Sequence, residues 1–360
     1  MPPIRAKTFI IDNGKKIHNN YLCIMTRFAI VGTGRISDWV LKGAVQDPRF
    51  RAVAVCSRSI ESAKAFIAKH PEAFTSDAKA FDSLDQMLTC PEIDAVYVGT
   101  PNSTHRDITV KSLDSGKHVL CEKPLACSVA EVQDMIGAAR ANGKVLMEAM
   151  ISTLNPNFRV ARAKMSEIGT IRHYSSTFCQ YSSKYEALKQ GIVSNSFNPA
   201  MGGGALGDIG VYTTFPAVAL FGAPLDVKAH LVTLPTEFGP TDVQGTAELL
   251  YPGMTVNLAY SKVVDSKLPT EICGEDGNIS LDAIHICRKV GYEPHRAPTS
   301  GRGPATSAET IAEGLEHDEY FYEFEEFISV IESGRSESEI NSLQVSLTNM
   351  EVMEKIRNFA

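Results

Sequence analysis

Short apolar runs and stretches of helical spacing take turns along the first part of the chain. Residues 28–31, 51–57, 95–99, 118–122 and 145–150 are strand-like in length and rich in Val, Ala, Ile and Leu. Between them, 36–45, 60–69, 84–88, 104–115 and a stretch running from Ser128 to Asn142-Gly143 have helical spacing. Asp47-Pro48 stops the first helix, Gly116 suits a C′ position, and Ser128 with Glu131 fits a capping box. This alternation predicts a parallel sheet with right-handed crossovers. Beyond residue 150 it lapses. A helix at 156–165 precedes strand-like stretches at 171–181, 227–234, 245–251, 254–260 and 270–273, with Pro252-Gly253 as a hairpin turn. Helices are expected near 210–221, 320–332 and 343–359, and the Pro-, Gly-, Ser- and Arg-rich stretch 292–308 reads as a loop. The pattern predicts an α/β domain, then an α+β domain with a large, mostly antiparallel sheet.

The junction of the first strand and first helix, Arg-Phe-Ala-Ile-Val-Gly-Thr-Gly-Arg-Ile-Ser at 27–37, makes the first sheet a doubly wound Rossmann sheet. A strand, a Gly-x-Gly turn and a helix form the context in which a dinucleotide pyrophosphate binds. Gly32 makes the tight turn, and Gly34 lets backbone approach phosphate. Arg35 and Ile36 open the helix, whose N-terminus offers N–H groups and a favourable dipole. The third position, where Gly or Ala packs helix on strand, is Ser37. Two glycines in a βα turn also arise from packing alone, so residues further along the chain must decide between the two. After the second strand come Ser57, Arg58 and Ser59 rather than a carboxylate. An arginine flanked by hydroxyls suits a 2′-phosphate, which favours NADP(H) while leaving NAD(H) open; the bland alternative is a solvated loop arginine.

At 360 residues the chain is too long for one ordinary core. The expected division is a peripheral extension at 1–24, a dinucleotide-binding domain at 25–147, and a substrate-binding and oligomerisation domain at 148–360. The extension is too polar for a secretory signal. A net charge of −7 argues against nucleic acid or an anionic membrane as partner, and no apolar run approaches the ~20 residues of a membrane span. Eight cysteines without a C-x-x-C pair read as free thiols in a reducing compartment, hence a cytoplasmic protein with no metal site.

Three further stretches come in a recognisable order: Gly99-Thr100-Pro101-Asn102 with His105, Gly116-Lys117-His118-Val119-Leu120-Cys121-Glu122-Lys123-Pro124, and Gly202-Gly203-Gly204-Ala205-Leu206-Gly207-Asp208-Ile209-Gly210-Val211-Tyr212. With the glycine turn they resemble the glucose–fructose oxidoreductase, inositol dehydrogenase and MocA (Gfo/Idh/MocA) family, from about residue 25 to the C-terminus. The Asp-x-x-x-Tyr ending is similar to the branch with dimeric dihydrodiol dehydrogenase and NADP-dependent xylose dehydrogenase. The resemblance implies that Thr100, Pro101, Asn102 and His105 contact the nicotinamide end, that Glu122 bonds its ribose, and that a homodimer or homotetramer forms through the second sheet. It also implies that Lys123 and Tyr212 meet over a sugar, polyol or cyclic diol. One departure stands out: Thr153 occupies the place where relatives carry Arg after Glu148-Ala149.

Hydride transfer to or from a carbinol needs a positioned cofactor and a route for the hydroxyl proton. Lys123 follows a strand end, where partial desolvation and an oxidised nicotinamide would lower its pKa; the bland reading is a surface lysine at a turn. Asp208 and Tyr212 share a helix face if Asp208 opens a helix, although an N-cap and a core tyrosine explain the same spacing. A lysine ammonium beside Tyr212 would lower its phenol pKa and make it an acid/base. The expected catalytic set is Lys123, Asp208 and Tyr212, in an NADP(H)-dependent dehydrogenase. The rivals are an NAD-dependent glycoside hydrolase with retained cofactor and a non-catalytic dinucleotide sensor, the latter disfavoured by the presence of Lys123.

Overall fold

Continuous apolar segments bury on both faces, and that places them inside a parallel sheet. In the computed structural model, which describes residues 25–295 and 308–359, six strands form this sheet: β1 (Thr26–Val31), β2 (Phe50–Cys56), β3 (Phe74–Phe81), β4 (Ala95–Val98), β5 (His118–Glu122) and β6 (Leu146–Ala149). Their order is β3-β2-β1-β4-β5-β6, all parallel. β4 and β6 are buried throughout. β3 went unforeseen because it is a polar edge strand, Phe-Thr-Ser-Asp-Ala-Lys-Ala-Phe, with no sustained alternation.

The expected helices appear at Arg35–Ala44, Ile60–Lys69, Leu84–Leu88, His105–Asp114 and Val129–Asn142. Ser128 Oγ accepts from the Glu131 N–H at 3.2 Å. The reciprocal arm differs: Glu131 accepts from the Cys127 N–H, not from Ser128. Gly143 ends this helix in a left-handed conformation, φ 59°.

The second sheet has eight strands: β7 (Ile171–Cys179), β8 (Asp226–Leu234), β9 (Thr241–Tyr251), β10 (Met254–Ser261), β11 (Thr270–Gly274), β12 (Gly277–Leu281), β13 (Lys289–Pro294) and β14 (Glu309–Glu313). Their order is β14-β13-β12-β11-β7-β10-β9-β8, antiparallel except for the β7–β10 pair. β13 reaches into the stretch expected to be a loop. Residues 296–307 of that loop and the extension at 1–24 lie outside the described residues.

The two sheets do not divide at residue 147. β6 carries the first sheet to Ala149, and the helix Phe321–Glu332, late in the chain, returns to cover it. There Phe28 lies 5.0 Å from Phe50 and 5.5 Å from Phe324, ring centre to centre. The helix Leu343–Arg357 packs between helices of both domains. Pro199–Phe221 is long and apolar enough to span a membrane, against the expectation, but 72% of its most apolar 18-residue window is buried, in the core that also holds Val256 and Met350.

Trp39, on the first helix, is 43% exposed, with the Arg35 guanidinium over its ring.

Candidate active site

Strand ends deliver most of the expected residues to the carboxyl edge of the first sheet, as a doubly wound topology requires. At the end of β1, Gly32 has φ +100°, and a Cβ there would run into the Gly99 carbonyl, so the turn admits only glycine. Gly34 is different. Its φ is −82°, and an added Cβ would meet no protein atom within 4 Å. The helix that starts at Arg35 has no side-chain cap. Open space above a glycine, at an uncapped helix N-terminus, is what a pyrophosphate needs. Ser37 is fully buried and packs under Gly99, filling the third position. Ser57 Oγ lies 3.1 Å from Thr33 Oγ1, which ties the end of β2 to this turn, and Arg58 beside it is exposed.

The turn after β4 is held from within. Thr104 Oγ1 donates to the Pro101 carbonyl at 2.7 Å and lies 2.8 Å from Thr100 Oγ1. Asn102 Nδ2 donates to the Gly202 carbonyl at 2.9 Å, so this turn touches the glycine-rich loop of the second domain. His105 corrects the expectation of a nicotinamide contact. It is fully buried, with Nε2 2.9 Å from the Thr100 carbonyl and Nδ1 3.0 Å from the Pro124 carbonyl. Neither ring nitrogen is left for a cofactor; His105 is a strut between two strand-end turns. Burial lowers its pKa, against its backbone hydrogen bonds.

β5 ends in Glu122, Lys123 and a cis Lys123–Pro124 bond. Glu122 is buried and accepts from the Tyr97 hydroxyl at 2.6 Å. Burial pushes its carboxyl up, while Tyr97 and Lys123 oppose this. The Lys123 side chain is 13% exposed. Its Nζ donates to the Asp208 carbonyl at 2.6 Å, stands 3.5 Å from Asp208 Oδ1 and lies 4.8 Å from the centre of the Tyr212 ring.

Asp208 does not open an α-helix. It sits in a wide π-helical turn, Leu206–Gly210, that leads into the helix Val211–Phe221. Gly204, at φ +127°, and the Asp242 carboxylate shape the entry, with Asp242 Oδ2 accepting from the Leu206 N–H at 2.6 Å. Asp208 is therefore not an N-cap: its carboxylate faces lysines. Oδ2 is 2.7 Å from Lys262 Nζ. Burial pushes the Asp208 carboxyl up, but Lys123 and Lys262 outweigh it and hold it below the usual range. The Asp208 side chain is 36% exposed.

Tyr212 is half-buried, and its hydroxyl has no hydrogen-bond partner among the described residues. Its ring meets Phe178 edge-on at 5.5 Å and His285 at 6.4 Å, and His285 stacks on Phe178 at 4.1 Å. The expected lowering of its pKa is not found. Burial raises the phenol well above its ordinary value, and the Glu122 and Asp208 charges add to this. Lys123 lies over the ring and spends its charge on Asp208 instead of on the hydroxyl.

Thr153, in the place of the relatives' arginine, is 1% exposed, and its Oγ1 donates to Asn341 Oδ1 at 2.5 Å. This position faces the interior here.

The sequence reading missed Lys262, His285, Phe178, Tyr97 and Asp242. Lys262 follows a strand and looks like any surface cation. The others come from strands and loops far apart in the chain, so no spacing links them. Among the described residues no cluster of His, Cys, Asp and Glu is placed to hold a metal ion.

This geometry agrees with the comparisons. Residues 26–150 match the family model described as an oxidoreductase family with an NAD-binding Rossmann fold, and 160–280 match the GFO/IDH/MocA C-terminal domain. The scyllo-inositol 2-dehydrogenase (NADP(+)) of Bacillus subtilis (strain 168) is 43% identical over 92% of this chain and 96% of its own length. The trans-1,2-dihydrobenzene-1,2-diol dehydrogenase of Xenopus laevis is 32% identical over 72% of this chain and 76% of its own. In fold alone, the crystal structure of a 3-ketoreductase from Actinomadura kijaniata, in complex with NADP and TDP-benzene, superposes with a TM-score of 0.78 at 24% identity, over 93% of this chain and 98% of that one. The chain belongs to the Gfo/Idh/MocA family of NAD(P)-dependent oxidoreductases.

Proposed function

We propose that this protein is an NADP(H)-dependent dehydrogenase or reductase of a polyol, sugar or cyclic diol, with Lys123, Asp208 and Tyr212 handling the reacting oxygen. The observation that carries the reading is the meeting of three residues from two domains: Lys123 Nζ reaches the Asp208 carbonyl at 2.6 Å and lies 4.8 Å from the Tyr212 ring centre. The bound nicotinamide supplies or accepts the hydride. Gly32, Gly34, Arg35 and Ile36 would hold the pyrophosphate, and Ser57 with the exposed Arg58 would hold the 2′-phosphate. Thr100, Pro101, Asn102 and Glu122 would flank the nicotinamide end.

Lys123 binds the substrate oxygen and favours its developing negative charge. Tyr212 carries a proton that burial keeps on the phenol, so in reduction it donates to the carbonyl oxygen. Asp208 orients Lys123 and offers the open part of its carboxylate to a neighbouring hydroxyl. The names of the two relatives, one acting on an inositol and one on a cyclic diol, support a substrate with vicinal hydroxyls on a ring.

We place a second copy of the chain against the open face of the second sheet, around Lys228, His230 and Glu248. We place the protein in the cytoplasm, on the unpaired thiols among the described residues.

The test is NADPH absorbance at neutral pH with a panel of inositols, aldoses, cyclic diols and the matching ketones. Net oxidation or reduction of the cofactor with a ring polyol or its ketone is expected. Substrate turnover without net cofactor change indicates the retained-cofactor hydrolase. Cofactor binding with no turnover of any compound indicates the sensor. A Lys123→Ala variant that keeps full turnover removes the assigned roles.

A further inference from the structure

Lys262 immediately follows β10, yet its side chain is only 2% exposed. Its ammonium lies 2.7 Å from Asp208 Oδ2, donates to the Ser196 carbonyl and sits 3.9 Å from the centre of the Phe197 ring. A lysine has three donors, and these contacts occupy them. No face of the group remains for a substrate. A buried ammonium carries a desolvation cost that only a close counter-charge offsets.

Of the other titratable groups around this centre, the buried Glu323 carboxyl has no hydrogen-bond partner among the described residues and burial pushes it well up; the rest are committed elsewhere. Asp242 accepts from the Leu206 N–H at 2.6 Å and Glu122 from Tyr97 at 2.6 Å. Glu148 accepts from the Leu125 N–H at 3.0 Å, and His105 lies between two carbonyls. Tyr212 shows Lys123 its ring rather than its hydroxyl. Lys123, at 3.5 Å from Oδ1, is the other cation on Asp208. The carboxylate thus stands between two ammonium groups, one sealed in protein and one at the cleft.

The geometry points to Lys262 as a positioning residue for the reaction: it binds Asp208 Oδ2, turns Oδ1 toward Lys123 and offsets the Asp208 charge, so that the Lys123 ammonium stays available to the substrate oxygen. This inference rests on the proposed roles of Lys123 and Asp208. Without Lys262 the whole Asp208 charge falls on Lys123, whose ammonium is then held both more tightly and in the wrong direction. Burial works against the Lys262 charge and Asp208 works for it, so the pair stands or falls together.

The experiment compares Lys262→Met, which keeps chain length and loses charge, with Lys262→Arg, Asp208→Asn and the double variant Lys262→Met with Asp208→Asn. Lys262→Met is expected to bind NADPH within about twofold of wild type by fluorescence titration and to lose on the order of 100-fold in kcat/KM, mainly in kcat. The basic limb of its pH profile moves up by about one unit. Lys262→Arg recovers most of the rate. A loss of rate with both limbs in place, or a wild-type rate, overturns the inference.

The double variant covers a single variant that folds poorly, because it leaves no unpaired buried charge. Adding Lys262→Met to Asp208→Asn should cost no further activity, and an additive loss overturns the role. A readout independent of turnover separates this inference from the function beneath it. The Asp208 carboxyl, followed by carbon-13 NMR and assigned with Asp208→Asn, should titrate at least one unit higher in Lys262→Met than in wild type. An unchanged titration rejects Lys262, whereas full turnover by Lys123→Ala rejects the underlying function.

Discussion

The two glycines of the phosphate turn can be separated by one substitution made at each. Gly32→Ala places a side chain at φ +100° and drives its Cβ against the Gly99 carbonyl oxygen, which is backbone and cannot swing away. Backbone strain of about 1–3 kcal/mol and crowding of about 1–3 kcal/mol add to about 2–6 kcal/mol of lost stability. At roughly 2–4 °C per kcal/mol, Tm should fall by about 4–24 °C. Gly34→Ala sits at φ −82° with nothing within 4 Å of the new Cβ. A less flexible unfolded chain contributes about 0.4–1 kcal/mol, and a poorer N-cap costs a few tenths, so Tm should barely move. The new methyl instead fills space assigned to the pyrophosphate. Crowding of about 1–3 kcal/mol against the ligand weakens NADPH binding by roughly 5- to 150-fold. Thermal shift with and without NADP+, and titration of NADPH fluorescence, measure both quantities. A Gly34→Ala protein that binds NADPH as tightly as wild type would refute the placement of the phosphates. An unchanged Tm for Gly32→Ala would refute the strained turn.

The proposed roles carry further expectations. Lys123→Met should lower kcat/KM by about 10²–10⁴-fold, seen in steady-state rates with the best ring polyol. Tyr212→Phe should lower kcat by about 10²-fold or more with Tm unchanged, since its hydroxyl has no protein partner among the described residues; a rate within threefold of wild type removes Tyr212 as proton carrier. Arg58→Gln should weaken NADPH binding by roughly 10- to 100-fold, as expected for a charged hydrogen bond, and leave NADH binding alone; equal losses for both cofactors would contradict its place on the 2′-phosphate. Glu148 makes stability depend on pH. Burial raises its carboxyl from 4.5 to about 7, so the folded state holds a proton that the unfolded state releases first. That contribution is fully present below about pH 4.5 and is lost as pH rises through about 7. Tm of the wild type should therefore fall over this window more steeply than that of Glu148→Gln, and parallel curves would count against the assignment.

Much of the architecture was legible because it depends on local chemistry. Apolar runs bounded by Asp-Pro, Gly and capping residues must form strands and helices in alternation, and that pattern allows little but a doubly wound sheet. The glycine turn, Arg58, Lys123 and Tyr212 could be placed because each stands beside a strand end or in a motif of fixed spacing. β3 was missed because an edge strand need not be apolar, and the helix Phe321–Glu332 gave no sign that it would return to the first domain. Such packing depends on shape between segments far apart in the chain.

The residues alone determined the glycine turn, the strand ends that share one edge of the first sheet, and which side chains that edge could present. Tertiary structure decided how those side chains are charged and aimed. His105 became a strut because two carbonyls closed around it, and the Tyr212 phenol moved up rather than down because burial and two carboxylates outweigh an ammonium that faces its ring. Asp208 is shared between Lys123 and a lysine 54 positions further along the chain (262 − 208). Electrostatic interactions depend on distance and burial, and a linear sequence specifies neither until the chain has folded.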